Sequence, residues 1–411
     1  MWAYNGQRYK LLYAVIAMDP VKNPYTPNAG SRPPELAGRG EQLEQFRILV
    51  ARLKDGQTDQ SIVAKGLRGV GKTVLLNAFE DMAESEGFLT YYHELTDESS
   101  LVEELARDTE RALAMLRLSE KLAQKVRDGL AHLKTIRLTG PEGIGIEVDL
   151  RKASEGTVTA DLTDLFLELG AAARERERGV VFFLDEVQFV DEMHYRALIS
   201  ALHRCNQKHL PISAAAAGLP QIPRLTGEAR SYAERLFDFP TIANLDPDAA
   251  TAALVEPARA QAVDYADEAV ELALRWTQGY PFYVQQIGKH AWNQATASPI
   301  TRVDIEEALP AAQAALDRAI YEVRVQRATA NERRYMRAMA ELGDGPYRSG
   351  AVARKLGQAS TAVSTVRQRL IDKGLIYATE DYGHIEFSVP RFAGFMRRHM
   401  PYRAPRRKRR S

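Results

Sequence analysis

The 411-residue sequence has a single cysteine, Cys205, and no long hydrophobic run. One thiol cannot form an intramolecular disulfide, so a disulfide-stapled secreted fold is excluded and a reducing cytoplasm fits. No apolar stretch approaches the roughly 20 residues that cross a bilayer, so we expect no membrane partner. Hydrophobic residues are 45% and charged residues 27% of the chain, which is typical of globular domains. The length allows two or three such domains.

The first residues have more than one interpretation. Lys10–Met18 is a short apolar run behind basic residues, which faintly resembles a secretion signal, but no small-x-small cleavage motif follows it. We favour a local helix or strand, or a translation start at Met18 behind an over-long gene prediction. Residues 1–30 are therefore treated as an N-terminal extension.

The carboxy-terminal end is basic, whereas the rest of the chain is acidic. Residues 331–411 contain 18 Lys and Arg against 7 Asp and Glu, a net charge of +11. Because the whole chain carries +1, residues 1–330 carry −10. This asymmetry predicts that the basic end meets an anion, most simply nucleic acid.

A phosphate-binding loop is the most specific motif in the chain. Residues 66–73 read GLRGVGKT, which matches G-x-x-x-x-G-K-T, and they lie between a β-branched strand pattern and a helical pattern. Glycines let backbone N–H groups point at phosphate oxygens, and the following helix adds the positive end of its dipole. Lys72 would reach the β- and γ-phosphates, and the Thr73 hydroxyl would bind Mg²⁺. The predicted nucleotide-binding residues of the loop are Gly66, Arg68, Gly69, Val70, Gly71, Lys72, Thr73 and Val74.

A second motif, VVFFLDE at residues 180–186, predicts a strand buried on both faces that ends in two acids. Asp185 would hold the water shell of Mg²⁺. Glu186 suits a general base that orients the attacking water. A protein that only binds nucleotide has no need of such a base, so we predict hydrolysis.

Strand and helix patterns alternate through the first half of the chain, which predicts an α/β core with a mostly parallel sheet. From Asp246 to about Ala328 the pattern is helical only, and its character changes again from Asn331. The predicted domains are an α/β domain at 31–243, a helical lid at 244–328, a third domain at 329–400 and a basic disordered tail at 401–411.

The order helix, helix, turn, helix and hairpin after Asn331 predicts a winged helix-turn-helix. On its third helix Val363, Val366 and Leu370 share a face that would be core. The wing tip contains Glu380 and Asp381, which would repel phosphate and favour the alternative that the module docks on protein. The residues predicted to contact DNA are Arg348, Arg354, Thr361, Ser364, Thr365 and Gln368.

The loop and the acid pair together resemble those of AAA+ ATPases, in particular the branch of archaeal origin-recognition initiators and STAND-type signalling ATPases. The resemblance implies a P-loop AAA+ core, a helical lid and a C-terminal winged helix. Pro34–Phe46 is similar to the family segment that contacts adenine, with Arg39 as the candidate. Thr277–Trp292 resembles the lid, whose G-x-P motif touches nucleotide, which makes Pro281 a candidate.

The same resemblance implies an arginine that senses the γ-phosphate, in its own subunit or a neighbouring one. Arg235 is the candidate, and Arg230 is the second choice. Simpler alternatives stay open, namely a surface role for Arg235, an ion pair for Arg39 and a helix-breaking turn at residues 279–281.

Together these features predict an ATP- and Mg²⁺-dependent switch that binds double-stranded DNA and forms an ATP-dependent homo-oligomer. The alternative is a STAND-type signalling or defence ATPase, in which the winged helix is an autoinhibitory module and an unknown protein is the trigger. Glu186 disfavours a third interpretation, a nucleotide-binding scaffold without hydrolysis.

We predict slow turnover. In many AAA+ proteins the strand after the Asp-Glu strand ends in a polar residue that positions the attacking water. Here that strand ends in alanine and glycine, and Ser213 lies near its start. Steady-state assays of the purified protein should therefore give a low rate, and tens of turnovers per second without any partner would contradict the inference.

Overall fold

The structure is a computed structural model that describes residues 18–28, 36–116, 118–130, 133–139, 145–149, 154–222, 233–379 and 381–402. These residues divide into two compact units. The sheet unit comprises Glu41–Gly66 and Leu75–Ile242, and the helical unit comprises the described residues of Met1–Gly40, Leu67–Val74 and Ala243–Ser411. The signal-like run before Met18, Arg230, Glu380 and the basic tail beyond residue 402 lie outside the described residues.

The sheet unit is built on parallel strands, as the sequence predicted. Its strands are β1 (Ser61–Lys65), β2 (Leu89–Glu94), β3 (Ile136–Thr139), β4 (Gly145–Val148), β5 (Val180–Asp185), β6 (Ile212–Gly218) and β7 (Phe237–Asp238). Five of them pair in parallel in the order β2–β5–β6–β1–β7, whereas β3 and β4 form a separate antiparallel hairpin.

Strand register decides where the functional residues emerge. All six residues of β5 are buried, which confirms the predicted doubly covered strand. Asp185 at the end of β5 pairs with Glu94 of β2, and Lys65 at the end of β1 pairs with Gly218 at the end of β6. Because neighbouring parallel strands run the same way, the strands that end at Lys65, Asp185 and Gly218 all end at one edge of the sheet.

Helices accompany these strands, and aromatic stacking joins some helices to each other or to the sheet. They are α1 (Gly40–Lys54), α2 (Lys72–Ser85), α3 (Leu101–Met115), α4 (Glu120–Leu130), α5 (Glu155–Glu175), α6 (Glu192–Gln207) and α7 (Ala233–Leu236). Phe46 of α1 stacks on Phe79 of α2 with ring centroids 4.3 Å apart. Phe166 of α5 stacks on Phe182 of β5 at 5.1 Å.

The helical unit begins with helices that share one apolar core. They are α8 (Pro247–Arg259), α9 (Asp267–Thr277), α10 (Pro281–Gln294) and α11 (Arg302–Leu316), followed by a π-helix (Asp317–Glu322) and α12 (Val323–Arg327). Met18 and Tyr25 are buried in the same core. The indole N–H of Trp292 donates to the Asp19 carbonyl at 3.1 Å, so the described N-terminal segment is attached to α10.

The C-terminal module, residues 330–402, follows in the same unit. Its elements are α13 (Ala330–Ala340), β8 (Tyr347–Arg348), α14 (Ser349–Lys355), α15 (Ser360–Asp372), β9 (Ile376–Ala378), β10 (His384–Phe387) and α16 (Phe392–His399). Val363 and Leu370 of α15 are buried as predicted, whereas Val366 is only half-buried. The short strand β8, which pairs with β10, was not predicted because two residues have no readable period.

A buried acid stabilises this module. Glu332 is 2% exposed and forms a capping box with Thr329 at the start of α13. The Lys373 ammonium, which follows α15, lies 2.7 Å from the Glu332 carboxylate. Glu332 therefore joins the first helix of the module to the third.

We predict that Glu332→Ala lowers the free energy of unfolding by about 2 kcal/mol, because a helix cap and a buried ion pair are lost together. Urea unfolding of the full chain measures the effect. Asp344→Ala is the control, since that acid is 85% exposed beside Arg397. Its removal should cost less than about 0.5 kcal/mol.

The same contact has a pH signature. Burial opposes ionisation of Glu332, but the Lys373 ammonium and the Thr329 N–H outweigh it and lower its pKa below the ordinary 4.5. The stabilisation is therefore complete above pH 4.5 and disappears as pH falls through the folded-state pKa. A difference between native and variant that persisted at acid pH would contradict this assignment.

Candidate nucleotide site

The loop between β1 and α2 has the backbone of a phosphate cradle. Gly69 and Gly71 have φ of +84° and +94°, which residues with a side chain rarely adopt. The first residue of α2 is Lys72, which is buried, and its ammonium donates to the Leu67 carbonyl at 2.8 Å. The amine therefore lies within the arc of its own loop, beside the first N–H groups of α2. A 14-residue helix starting at this point directs the partial positive charge of its N-terminus at a phosphate bound by the loop.

Arg39 holds this loop from the preceding segment. Its guanidinium is 9% exposed and donates to the carbonyls of Val70 at 3.0 Å and Ala243 at 2.7 Å. Burial lowers the pKa of Arg39, and attraction by Asp246 opposes that change. Its hydrogen bonds thus go to backbone carbonyls, one of which belongs to the phosphate-binding loop.

The G-Y-P motif meets the loop through its tyrosine. Gly279 has φ of +69°, and a Cβ there would lie 2.2 Å from the Leu245 carbonyl oxygen, so only glycine fits. This turn directs Tyr280 at the loop, where its hydroxyl lies 2.8 Å from the position of a Cβ on Gly69. That hydroxyl is buried and has no hydrogen-bond partner among the described residues. Pro281 begins α10, and its role as a nucleotide contact stays a prediction.

The C-terminal module also contacts the loop. The Arg68 N–H donates to the Ser388 carbonyl at 3.1 Å. The Arg68 guanidinium lies 2.9 Å from the position of a Cβ on Gly374, which has φ of +61°. This contact could not be predicted from the sequence, because a backbone carbonyl carries no sequence signature.

The acid pair belongs to the sheet unit. Asp185 is 3% exposed and accepts hydrogen bonds from the Tyr92 hydroxyl at 3.3 Å and the Glu186 N–H at 2.8 Å. Burial, together with the Asp185 carboxylate, raises the pKa of Tyr92, so its hydroxyl stays a donor. Glu186 has φ of +56° and ψ of +38°, the left-handed region that non-glycine residues avoid.

Strand β6 has its hydroxyl side chain far from the acid pair. Ser213 lies near the start of the strand, and its Oγ is 2.9 Å from that of Ser61 in β1. The pair is buried. Ser213 therefore serves packing between β6 and β1, as expected from its position.

The remaining predicted residues are exposed. Arg235 lies in α7 and its carbonyl accepts from the Gln60 amide at 3.1 Å. Gln368 donates to Asp372 at 2.8 Å, and the Ser364 hydroxyl donates to the Thr361 carbonyl at 2.8 Å. All residues of the predicted DNA-contacting set are exposed, namely Arg348, Arg354, Thr361, Ser364, Thr365 and Gln368.

Neither a protein-built metal cage nor a membrane span is present in the part of the chain that the structure describes. No group of three or more His, Cys, Asp or Glu is arranged to hold a metal ion there. Within the same residues, no helix is both long and apolar enough to cross a membrane.

Two family models match the chain. Residues 35–213 match the AAA ATPase domain, and residues 318–396 match a domain of unknown function, DUF8462. No curated protein matches it. Similar solved structures include the Walker-type ATPase PABY2304 of Pyrococcus abyssi, at 16% identity and a TM-score of 0.48 over 89% of this chain and 97% of that one.

Two further structures are similar at comparable levels. The Aeropyrum pernix Orc1 protein in complex with DNA has 16% identity and a TM-score of 0.44 over 89% of this chain and 94% of that one. Cdc6p from Pyrobaculum aerophilum has 14% identity and a TM-score of 0.46 over 93% of this chain and 98% of that one.

We predict that Tyr280→Phe weakens ATP binding about tenfold, because a hydrogen bond to a charged phosphate group contributes about 1.5 kcal/mol or more. The nucleotide-free protein should be as stable as native or slightly more so, because a buried hydroxyl without a partner is removed. Fluorescent-nucleotide titration and thermal unfolding measure the two effects. Unchanged affinity, or affinity and stability falling together, would contradict a ligand contact. Tyr335→Phe is the matched control, since its hydroxyl is also buried and finds no hydrogen-bond partner in the described part of the chain.

Proposed function

We propose that this chain is an ATP-hydrolysing switch coupled to a DNA-binding winged helix, because residues 35–213 match the AAA ATPase domain. The loop at residues 66–74 would hold the phosphates, with Lys72 on the β- and γ-phosphates. Thr73 and Asp185 would hold Mg²⁺, which neutralises charge on the transferred phosphoryl group. Glu186 would take the proton of the attacking water as general base.

The observation that carries this proposal is the position of one segment, residues 388–391, which follows β10. Its Ser388 carbonyl accepts from the Arg68 N–H of the loop at 3.1 Å. Its Pro390 carbonyl accepts from the hydroxyls of Tyr283 and Tyr321 at 3.0 Å. A single strand end of the C-terminal module is thus bonded to the nucleotide loop, to α10 of the lid and to the π-helix.

Arg391 strengthens the attachment to the lid. Its guanidinium donates to the Trp276 carbonyl and stands 5.3 Å from the centroid of the Tyr283 ring. Cation–π contacts of this kind contribute about 0.5–2 kcal/mol. The lid and the module are therefore expected to move as one body when the nucleotide loop changes conformation.

The coupling follows from the chemistry of one N–H. A backbone N–H that donates to the Ser388 carbonyl cannot at the same time make a full hydrogen bond to phosphate. ATP that draws the loop around its phosphates would therefore alter the Arg68–Ser388 contact, and ADP would alter it less. The change would reach α15 through the same module.

The exposed face of α15 suits double-stranded DNA. Thr361, Thr365 and Gln368 are exposed on one side of a helix whose other side is buried, and short polar side chains can read base edges in the major groove. Arg348 and Arg354 are exposed and could contact backbone phosphates. The net charge of +11 over residues 331–411 favours the same partner.

Arg235 supports a role for assembly. Its side chain is exposed, so it could act on the nucleotide of a neighbouring subunit. Hydrolysis would then be fastest in an ATP-dependent homo-oligomer.

We also propose that the chain works in the cytoplasm, where ATP is available. A single cysteine fits a reducing compartment. This thiol, Cys205, is buried, and burial raises its pKa to about 12, so it is unreactive.

A second candidate function rests on the same contact. A module bonded to the nucleotide loop at Ser388 could be an autoinhibitory brace that opens toward a protein partner, as in a STAND-type ATPase. Exposed Asp381 near the wing tip would repel DNA phosphates and favours this alternative. The two candidates differ in whether DNA or protein meets the freed module.

We predict that duplex DNA binds more tightly with a non-hydrolysable ATP analogue than with ADP, by about tenfold if the coupling free energy is about 1.4 kcal/mol. Fluorescence anisotropy over a salt series gives both affinity and salt slope. Lys72→Ala should remove the difference, whereas Glu186→Gln should keep DNA affinity high with ATP itself. Equal DNA affinities and equal salt slopes with both nucleotides would contradict the proposed coupling.

Matched arginine variants test the DNA surface. Arg354→Ala should reduce the salt slope by about one, as expected for one lost phosphate contact. Arg302→Ala is the control, because that arginine is also exposed but lies in the lid and pairs with Glu306. If neither variant alters binding, and size-exclusion chromatography shows ATP-driven oligomers that ignore DNA, the second candidate is favoured.

A further inference from the structure

A glutamine close to the acid pair joins two strand ends of the sheet unit. Gln188 lies in the short 3-10 turn Val187–Phe189 that follows Glu186. Its amide nitrogen donates to the Glu186 carboxylate, and its amide oxygen accepts from the Leu219 N–H at 3.1 Å. One carboxamide therefore connects the acid after β5 to the first residue after β6.

The glycine at the end of β6 fits this arrangement. A Cβ on Gly218 would lie 2.6 Å from the Gln188 amide oxygen and 2.3 Å from Cδ1 of Ile222. Both distances are too short for real contacts, so a side chain at this position would have to displace the carboxamide. Residue 218 is therefore small for a steric reason, and the polar group at this strand end comes from Gln188.

Glu186 requires such support. Its left-handed backbone, with φ of +56°, is unfavourable for a residue with a Cβ and persists only where the surroundings fix it. A general base also has to keep one orientation to be effective, and outer hydrogen bonds commonly supply that. Because the other end of Gln188 is bonded to backbone, its amide is itself held in place.

We propose that Gln188 is a positioning residue that fixes the carboxylate of Glu186 for hydrolysis. The inference rests on the proposed function of Glu186 as general base. It also refines the expectation of slow turnover, because Gln188 orients the base, whereas the alanine- and glycine-ended strand offers no side chain to orient the water.

The test uses Gln188→Met, which keeps the length of the side chain and removes both hydrogen bonds. We expect kcat to fall about tenfold or more, in the range found for lost outer-shell partners. KM for ATP and the Kd of a fluorescent ATP analogue should stay within about twofold, because Gln188 is not placed in the nucleotide-binding loop. Gln188→Asn should behave like Gln188→Met, since a side chain one methylene shorter cannot span both partners.

Ser213→Ala is the matched structural control. It removes a buried hydrogen bond of β6 at the Ser61 pair and should lower the thermal midpoint without changing kcat. If Gln188→Met leaves kcat within about twofold of native, the proposal is overturned. It is also overturned if Gln188→Met lowers kcat, nucleotide affinity and thermal midpoint together, since that indicates a structural role only.

Glu186→Gln separates this inference from the proposal on which it rests. If Glu186→Gln hydrolyses ATP at the native rate, Glu186 is not the base and the proposed mechanism is wrong. If Glu186→Gln is inactive while Gln188→Met is fully active, the base assignment survives and only the role of Gln188 is wrong.

Discussion

The parallel pairing of β6 with both β1 and β5 is the constraint on which the candidate site depends. Register sets Lys65 beside Gly218, and both strands on either side of β6 end at the same edge of the sheet. The phosphate-binding loop starts from the end of β1, and the acid pair starts from the end of β5. If either strand ran in the opposite direction, the residues that follow it would lie at the other edge of the sheet.

Much of this strand arrangement could be predicted from the local sequence. The glycines of the loop, the apolar strand before Asp185 and the alternation of strand and helix predicted the α/β core with its parallel sheet, because each depends on neighbours in the chain. Contacts distant in sequence could not be predicted in the same way. Tyr280 meets Gly69 across about 210 residues, and Ser388 meets Arg68 across about 320, a separation over which periodicity carries no information. Gln188 was missed for another reason, because a glutamine after a strand is ordinarily a solvated turn residue.

The contacts of the C-terminal module divide its surface into two parts. Residues 388–391 contact the loop, α10 and the π-helix, whereas the polar side of α15 is exposed. The module also contacts the π-helix through the ion pair of Arg398 with Asp317. The polar side of α15 is separate from these attachments, so the proposed DNA binding would not require the module to leave the nucleotide loop.

In the acid pair, Glu186 has a strained backbone and is held by two hydrogen bonds. The strained backbone of Glu186 would relax if the Asp185 carboxylate did not accept its N–H and the Gln188 amide did not hold its side chain. These two hydrogen bonds come from residues next to it in sequence, but each is fixed from elsewhere in the sheet unit, Asp185 by Tyr92 of β2 and Gln188 by the Leu219 N–H. The orientation of Glu186 thus depends on β2 and on the residue that follows β6, as well as on its own turn. A carboxylate held in this way keeps one orientation, which the proposed switch would need if nucleotide state rather than side-chain motion is to decide when hydrolysis occurs.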